Sequence, residues 1–438
     1  MSAAPASPSK SAALIDERGA IALVVANTIG TGVFTTSGFA LGDLGAPSYV
    51  MLAWAAGGLY ALSGVVVYAD LATKIPVSGG EYAFLRQTLH PALGVVAGWI
   101  SLVAGFTAPI AASALGAELY LTKAGGPVWS APFVASTIVL ALSLLHAFAP
   151  KQGVAFQNVA VLIKVLAIVA FVGFGAPHAA ETVSRGDAGV APFSTLAFFG
   201  SLVWISYAYS GWNAAVYVTG EVVGGGATVR RALYAGTLLV MVLYLGVSAV
   251  ILYGAPIEAL KGVAESGAVA ARSFGGPVAE RALSALIALA LVTSASSMIV
   301  SGPRVYARMA QDGALPAILG RLHGERPRIA VLTQGVLALL VVWSASLRDI
   351  LEFVGVTLSL SAAAVVIGWI RLELRASYRP RLAQAGAALL FLLATAGVAV
   401  AAILMRPMSA LASAALIGAA AIAYFGRARG RRRSVNSS

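Results

Sequence analysis

Long apolar runs alternate along this chain with short separators rich in glycine, proline and charge. Twelve runs predict helices, near residues 19–41, 48–70, 92–121, 131–149, 156–176, 195–220, 232–254, 279–303, 329–346, 350–370, 384–405 and 408–425. About 20 apolar residues in helical form cross a hydrocarbon core about 30 Å thick. Helices satisfy their own backbone polar groups there, whereas open strands do not. The pattern predicts an all-α membrane protein with twelve transmembrane helices.

Two of the twelve runs are interrupted. The first contains Asn27-Thr28-Ile29-Gly30-Thr31-Gly32-Val33-Phe34 at mid-membrane depth, and the sixth contains Tyr207-Ala208-Tyr209-Ser210-Gly211-Trp212-Asn213. Glycine is the poorest helix former after proline, and Ser and Thr hydroxyls can satisfy the backbone groups that a break sets free. Single glycines such as Gly45, Gly57, Gly58 and Gly64 fit close helix packing. Two weakened spans five apart in order point instead to an inverted-repeat carrier. Residues 19–176 would form its first repeat and 195–370 its second, with 384–425 as two added helices. Residues 1–18 are expected to be a disordered tail and 426–438 a basic one.

A helix unwound at mid-depth exposes N–H groups at the start of one half and carbonyls at the end of the other. The first suit a carboxylate and the second an ammonium. An amino-acid zwitterion presents both groups one carbon apart.

Composition supports the membrane reading. Hydrophobic residues make up 59% and charged residues 11%, against about 25% charged in soluble domains; the mean hydropathy is +0.88. The net charge of +12 would suit nucleic acid, but the basic residues fall in clusters between apolar runs, without the aromatic-interleaved basic face that such binding needs. With the N-terminus cytoplasmic, 21 Lys and Arg lie inside and 7 outside, and the remaining one of the 29, Lys164, lies within a span. The positive-inside rule selects this orientation, with both termini cytoplasmic in a plasma or inner membrane.

Lys164 interrupts an otherwise apolar fifth span, and intramembrane ionisable groups are functional by default. Burial makes its ammonium costly, which suits a group that exchanges a proton. Snorkelling toward the inner surface is the bland alternative.

Four motifs carry a family resemblance. Asn27–Phe34 resembles the Gly-Ser-Gly-Ile-Phe signature of the amino acid–polyamine–organocation (APC) transporters. Tyr68-Ala69-Asp70-Leu71 with Ile75-Pro76-Val77-Ser78-Gly79-Gly80-Glu81-Tyr82 resembles their next signature. Tyr207–Asn213 is similar to their sixth-span motif, and Ser301–Tyr306 through Asp312-Gly313 to their eighth-span exit. The likeness runs nearly the whole chain and is nearest the L-type and cationic branches. It implies a LeuT-type fold of five plus five helices with helices 1 and 6 broken.

The resemblance also implies roles. Gly30, Thr31 and Gly32 would hold the substrate carboxylate, and carbonyls around Thr28, Tyr207 and Ser210 the amine, with Ile29 and Gly211 completing the substrate contacts. Tyr207 stands where L-type relatives usually carry a gating Phe. Lys164 would take the place of the sodium bound by sodium-driven relatives, contacting first-span carbonyls near Ile29 and hydroxyls among Thr293, Ser294, Ser296 and Ser297; Ser294 and Ser297 are the chosen coupling partners. Proton symport and exchange both remain open.

Every Asp and Glu is assigned to loops or span ends, with Glu118 and Glu352 nearest the interior and read as solvated. Neutral L-amino acids are therefore expected as substrates, with cationic amino acids or polyamines second. A non-transporting amino-acid sensor of the same fold is the alternative from another class. No nucleophile–base set or metal cluster appears, so neither an enzyme nor a cofactor is expected. The chain has no cysteine, so it cannot form the disulfide that joins L-type relatives to a glycoprotein.

Overall fold

The computed structural model describes residues 15–126, 129–183, 192–322, 327–375 and 381–436, without the side chains of 150–161, 182–183 and 427–436. It is nearly all helical; one parallel bridge, Ile15 to Val222, stands apart. In order come α1 (Glu17–Thr28), α2 (Gly32–Leu44), α3 (Pro47–Lys74), α4 (Gly80–Thr88), α5 (Pro91–Ile100), a π-helical turn (Ser101–Thr107), α6 (Ala108–Lys123), α7 (Ala131–Phe148) and α8 (Pro150–Val183). Then follow α9 (Thr195–Ala208), a 3-10 segment (Ala214–Glu221), α10 (Gly225–Gly254), α11 (Ile257–Leu260), α12 (Ser266–Gln311), a 3-10 turn (Ala317–Gly320), α13 (Arg328–Ser344), α14 (Leu347–Arg375), α15 (Leu382–Met405) and α16 (Pro407–Asn436).

Among the described residues, 10 spans are long and apolar enough to cross a membrane, and α9 and α13 are shorter apolar helices. The boundaries follow local chemistry. The Asp16 carboxylate caps α1 by accepting from the Gly19 amide at 2.8 Å, as a helix N-cap does. Gly45 ends α2 with φ of 74°, the left-handed conformation favoured after a helix. The π-helical turn lies just before Pro109, a residue without the N–H needed for an interior helical bond.

Several boundaries differ from expectation. Residues 15–18 are ordered: Ile15 exchanges backbone bonds with Glu221 and Val223, and Glu17 opens α1. Only 1–14 of the expected tail lie outside the described residues. The fifth helix runs well beyond 156–176 at both ends. The eighth runs to Gln311 and carries an added segment before Gly276, whose φ of 66° breaks it just ahead of Pro277.

The core forms around the interrupted segments. Helix α1 packs on α10, α2 on α9, and α8 against both α10 and α12, while α3 lies along α9 and α10.

Candidate functional site

The first break is built by side chains that bond back along their own helix. Asn27 Nδ2 donates to the Leu23 carbonyl and the Thr28 hydroxyl to the Val24 carbonyl, both at 2.8 Å. Beyond the break, Thr35 and Thr36 hydroxyls donate to the carbonyls of Thr31 and Gly32 at 2.9 and 2.7 Å. Between them Ile29, Gly30 and Thr31 belong to neither helix, and the backbone turns extended at Ile29. The second break runs from Tyr209 to Asn213, turning at Gly211 with φ of 97°.

The two breaks touch. A Cβ at Gly211 would stand 2.5 Å from the Asn27 carbonyl oxygen, and one at Gly32 would stand 2.4 Å from Ala208 Cα. Only glycine permits these backbone approaches. Tyr244 of α10 then joins the free ends. Its hydroxyl lies 2.7 Å from the Thr28 carbonyl oxygen and 3.0 Å from that of Ala208, with the Gly30 amide beside it. The Tyr207 hydroxyl faces the buried Thr31 hydroxyl.

Lys164 is fully buried. Its ammonium donates to the Ile29 carbonyl at 2.8 Å, to Ser294 Oγ at 2.7 Å and to the Ala26 carbonyl at 3.4 Å. Three donors thus meet three acceptors. Snorkelling is excluded by this burial. Ser294 also bonds the Ile29 carbonyl directly at 2.7 Å. Ser297 is buried one turn further along α12 and does not join the ammonium; Ser296 instead lies 2.7 Å from the ring of His146.

A cavity opens beside the breaks, walled by Asn27, Ser206, Ser210, Gly211, Asn213 and Glu81. Of the eight expected substrate contacts, Ser210 and Gly211 line it, while Thr28, Ile29, Gly30, Thr31, Gly32 and Tyr207 lie behind or beyond that wall. Trp212 also lines it and packs edge-on to Tyr68, ring centroids 4.7 Å apart.

Glu81 corrects the reading that every acid lies in a loop or at a span end. It is 5% exposed and accepts from Tyr217 OH at 2.6 Å, from Tyr68 OH at 3.2 Å and from Asn213 Nδ2. Gly79 and Gly80 turn the chain with φ of 124° and 56°, and a Cβ at Gly80 would strike the Tyr217 ring at 2.3 Å. The glycine pair therefore lets α4 fold onto the bundle and carry Glu81 inward. Glu352 is likewise buried, in contact with Arg406, rather than solvated; Glu118 is half-buried and accepts from Thr122 at 3.1 Å.

The profile of the amino acid permease family matches residues 15–426. The chain belongs to the amino acid permease family. Relatives include the serine/threonine exchanger SteT of Bacillus subtilis, 25% identical over 74% of each chain. The human large neutral amino acids transporter small subunit 2 is 25% identical over 83% of this chain and 70% of its own. The mouse b(0,+)-type amino acid transporter 1 is 24% identical over 76% and 70%. The permease is thus a member of the APC superfamily, on its L-type and cationic side, and a multi-pass membrane transporter rather than an enzyme.

Tyr244 and Glu81 were missed in the sequence. A tyrosine inside the apolar run Val242–Ser248 signals a buried hydroxyl in need of a partner, but nothing local says that the partners are two helix ends. Glu81 sat within the quoted motif and passed for a loop residue.

Two predictions follow from this geometry. Gly32→Ala drives a methyl group into the Ala208 backbone, whereas the nearest atom to a Cβ at Gly30 is 3.9 Å away. Gly32→Ala should therefore lower thermal stability by about 1–3 kcal/mol, the cost of overpacking, and Gly30→Ala by clearly less, as read by thermal unfolding in detergent. Burial raises the Glu81 carboxyl above the ordinary carboxylate range, and its three donors only partly oppose this. A group so raised stabilises the fold fully below its unfolded value, and that contribution is lost as pH rises through the native one. Melting temperature should fall with rising pH more steeply in the native chain than in Glu81→Gln; parallel slopes would show that the carboxyl does not titrate.

Proposed function

We propose that this permease carries neutral L-amino acids by alternating access, without sodium, through proton symport or amino-acid exchange. Its working unit is two inverted five-helix repeats, residues 19–176 and 195–370, with 384–425 as accessory helices and both termini cytoplasmic. The observation that carries this reading is the contact between the two interrupted helices, where Gly211 meets Asn27 and Gly32 meets Ala208. Peptide dipoles of opposite sense lie side by side there. The amides of Gly30, Thr31 and Gly32 take the carboxylate, and the carbonyls of Thr28 and Ala208, now bonded to Tyr244, take the amine when that hydroxyl yields. Tyr207, Ser210 and Gly211 shape the space beside the substrate.

Lys164 supports the sodium-free part of the proposal. Its ammonium fills a nest of oxygens from Ala26, Ile29 and Ser294, the kind of oxygen set a hard monovalent cation would use. Ser297 loses its place as a direct partner. Coupling runs through the Ile29 carbonyl, which both Lys164 and Ser294 grip at the first break.

A second reading is favoured by Glu81. A buried carboxylate on the cavity wall suits a substrate with a cationic side chain, and the neutral preference rested partly on the absence of such an acid.

A thermal-shift screen over the twenty amino acids identifies the ligand, and counterflow in proteoliposomes separates a carrier from a sensor. Uptake should be the same within about twofold in sodium and choline media, while Lys164→Ala, which orphans buried acceptors at about 1–3 kcal/mol each, should abolish it with the protein still folded. Uptake that demanded sodium would end the proposal.

A further inference from the structure

A charged cluster binds the bundle together on the side of the breaks away from Glu81, and nothing in the transport reading above uses it. Arg406 sits in the turn between α15 and α16, and its side chain is 5% exposed. Its guanidinium donates to Glu352 of α14 at 2.6 Å and to Asp43 of α2. It also stacks 4.0 Å from the ring centroid of Trp204 on α9. The Trp204 indole N–H donates to the same Asp43 carboxylate at 3.1 Å. Ser409 donates to the other oxygen of Glu352 at 3.1 Å, and Arg348 approaches Glu352 at 3.4 Å and lies over Phe39 and Trp204.

We propose that Arg406 is the residue that closes the outer path, locking the half-helices α2 and α9 against α14. The proposal rests on the cytoplasmic placement of both termini, which makes this face the outer one.

Each half-helix ends at a break, α2 beginning after Ile29–Thr31 and α9 stopping before Tyr209–Asn213. Either can swing there without bending a continuous helix. The two cluster residues sit at different distances from the breaks: Asp43 is the penultimate residue of α2, far from the first break, and Trp204 lies one turn before the break that ends α9. Outward opening must part α2 or α9 from α14, and Arg406 touches all three. The residue itself belongs to neither repeat, so it can hold still while they move.

The electrostatics fit a reversible closure. Two carboxylates lose water in the cluster, and among the described residues the Arg406 guanidinium is the one cation that meets both of them, so much of that cost is offset only while it sits between them. On opening, water returns to the same groups, so the closed and open arrangements differ little in free energy. Without Arg406, Asp43 and Glu352 are left as two poorly hydrated like charges, which favours separation.

The test uses the absence of cysteine from the chain. Ser206→Cys places a thiol on the cavity wall two residues beyond Trp204, and Ser346→Cys places one in the exposed turn between α13 and α14, on the Arg348 side. Each is probed in intact cells with a membrane-impermeant maleimide. Combining Arg406→Gln with Ser206→Cys should raise the labelling rate about tenfold or more, Asp43→Asn should raise it by a smaller factor, and Arg406→Lys should leave it slow. Ser346→Cys should label equally in every background, which also shows that each variant reaches the membrane.

Unchanged Ser206→Cys labelling in both the Arg406→Gln and Asp43→Asn proteins makes the cluster a static brace and overturns the proposal. Amino-acid counterflow stands untouched by that result. A Ser346→Cys thiol shielded from outside reverses the orientation and takes the proposal with it. Should Arg406→Gln fail to assemble, Asp43→Asn decides alone, because its side chain nearly matches the original in size and keeps the bond from Trp204.

Discussion

A backbone group freed at mid-membrane depth has no water to turn to, and leaving it bare costs several kcal/mol. The permease frees such groups twice, at Ile29–Thr31 and at Tyr209–Asn213, and much of its interior is arranged to satisfy them. Asn27, Thr28, Thr35 and Thr36 bond back along their own helices. Tyr244 sets its single hydroxyl hydrogen between the carbonyls that end α1 and α9, and Lys164 with Ser294 closes the Ile29 carbonyl. What remains is a small set of peptide dipoles held by replaceable partners. A phenol hydroxyl can give way to a substrate ammonium where a helical hydrogen bond could not.

This economy ties binding to shape change. A helix that is continuous through the bilayer moves as one rod. A helix cut at Gly30 or Gly211 has two ends that pivot separately, and the glycines that allow the cut also allow the two breaks to meet backbone to backbone. A substrate that bonds amides of one half and carbonyls of another bears directly on the angle between them. Lys164 fixes the side of the first break nearest α8 and α12, so the pivot has one anchored edge.

What the sequence made legible follows the same physics. Glycine, serine and threonine inside an apolar run stand out, as does a lysine, because each is costly there without a purpose; the breaks and Lys164 could be read residue by residue. Tyr244, Glu81 and Arg406 could not. Tyrosine is ordinary in an apolar helix, and its two carbonyl partners lie 216 and 36 residues away in the chain. Glu81 looked solvated because the left-handed turn at Gly79-Gly80 that folds α4 inward leaves no trace in periodicity. Arg406 meets Asp43 across 363 residues and Glu352 across 54, and the positive-inside count had placed it in a loop. Local pattern reports what is expensive; it does not report who shares the expense.

The two faces of the breaks are held by different chemistry, and the difference bears on how the carrier rests. Around Arg406, two acids are balanced by two guanidiniums, both of which lie over the Trp204 ring. Around Glu81 the partners are two phenols and an amide, all neutral, and the cavity opens beside them. A balanced ionic closure is strongest when dry and complete, and loses its advantage once one member leaves. A carboxylate held only by neutral donors gains from any positive charge that reaches it, whether a proton or a substrate. On the closure proposed for Arg406, this conformation is shut by its own charges on one side and leaves a buried acid with only neutral partners on the other. In a carrier whose cargo always bears an ammonium group, that asymmetry lets the arrival and departure of cargo tip an otherwise level balance.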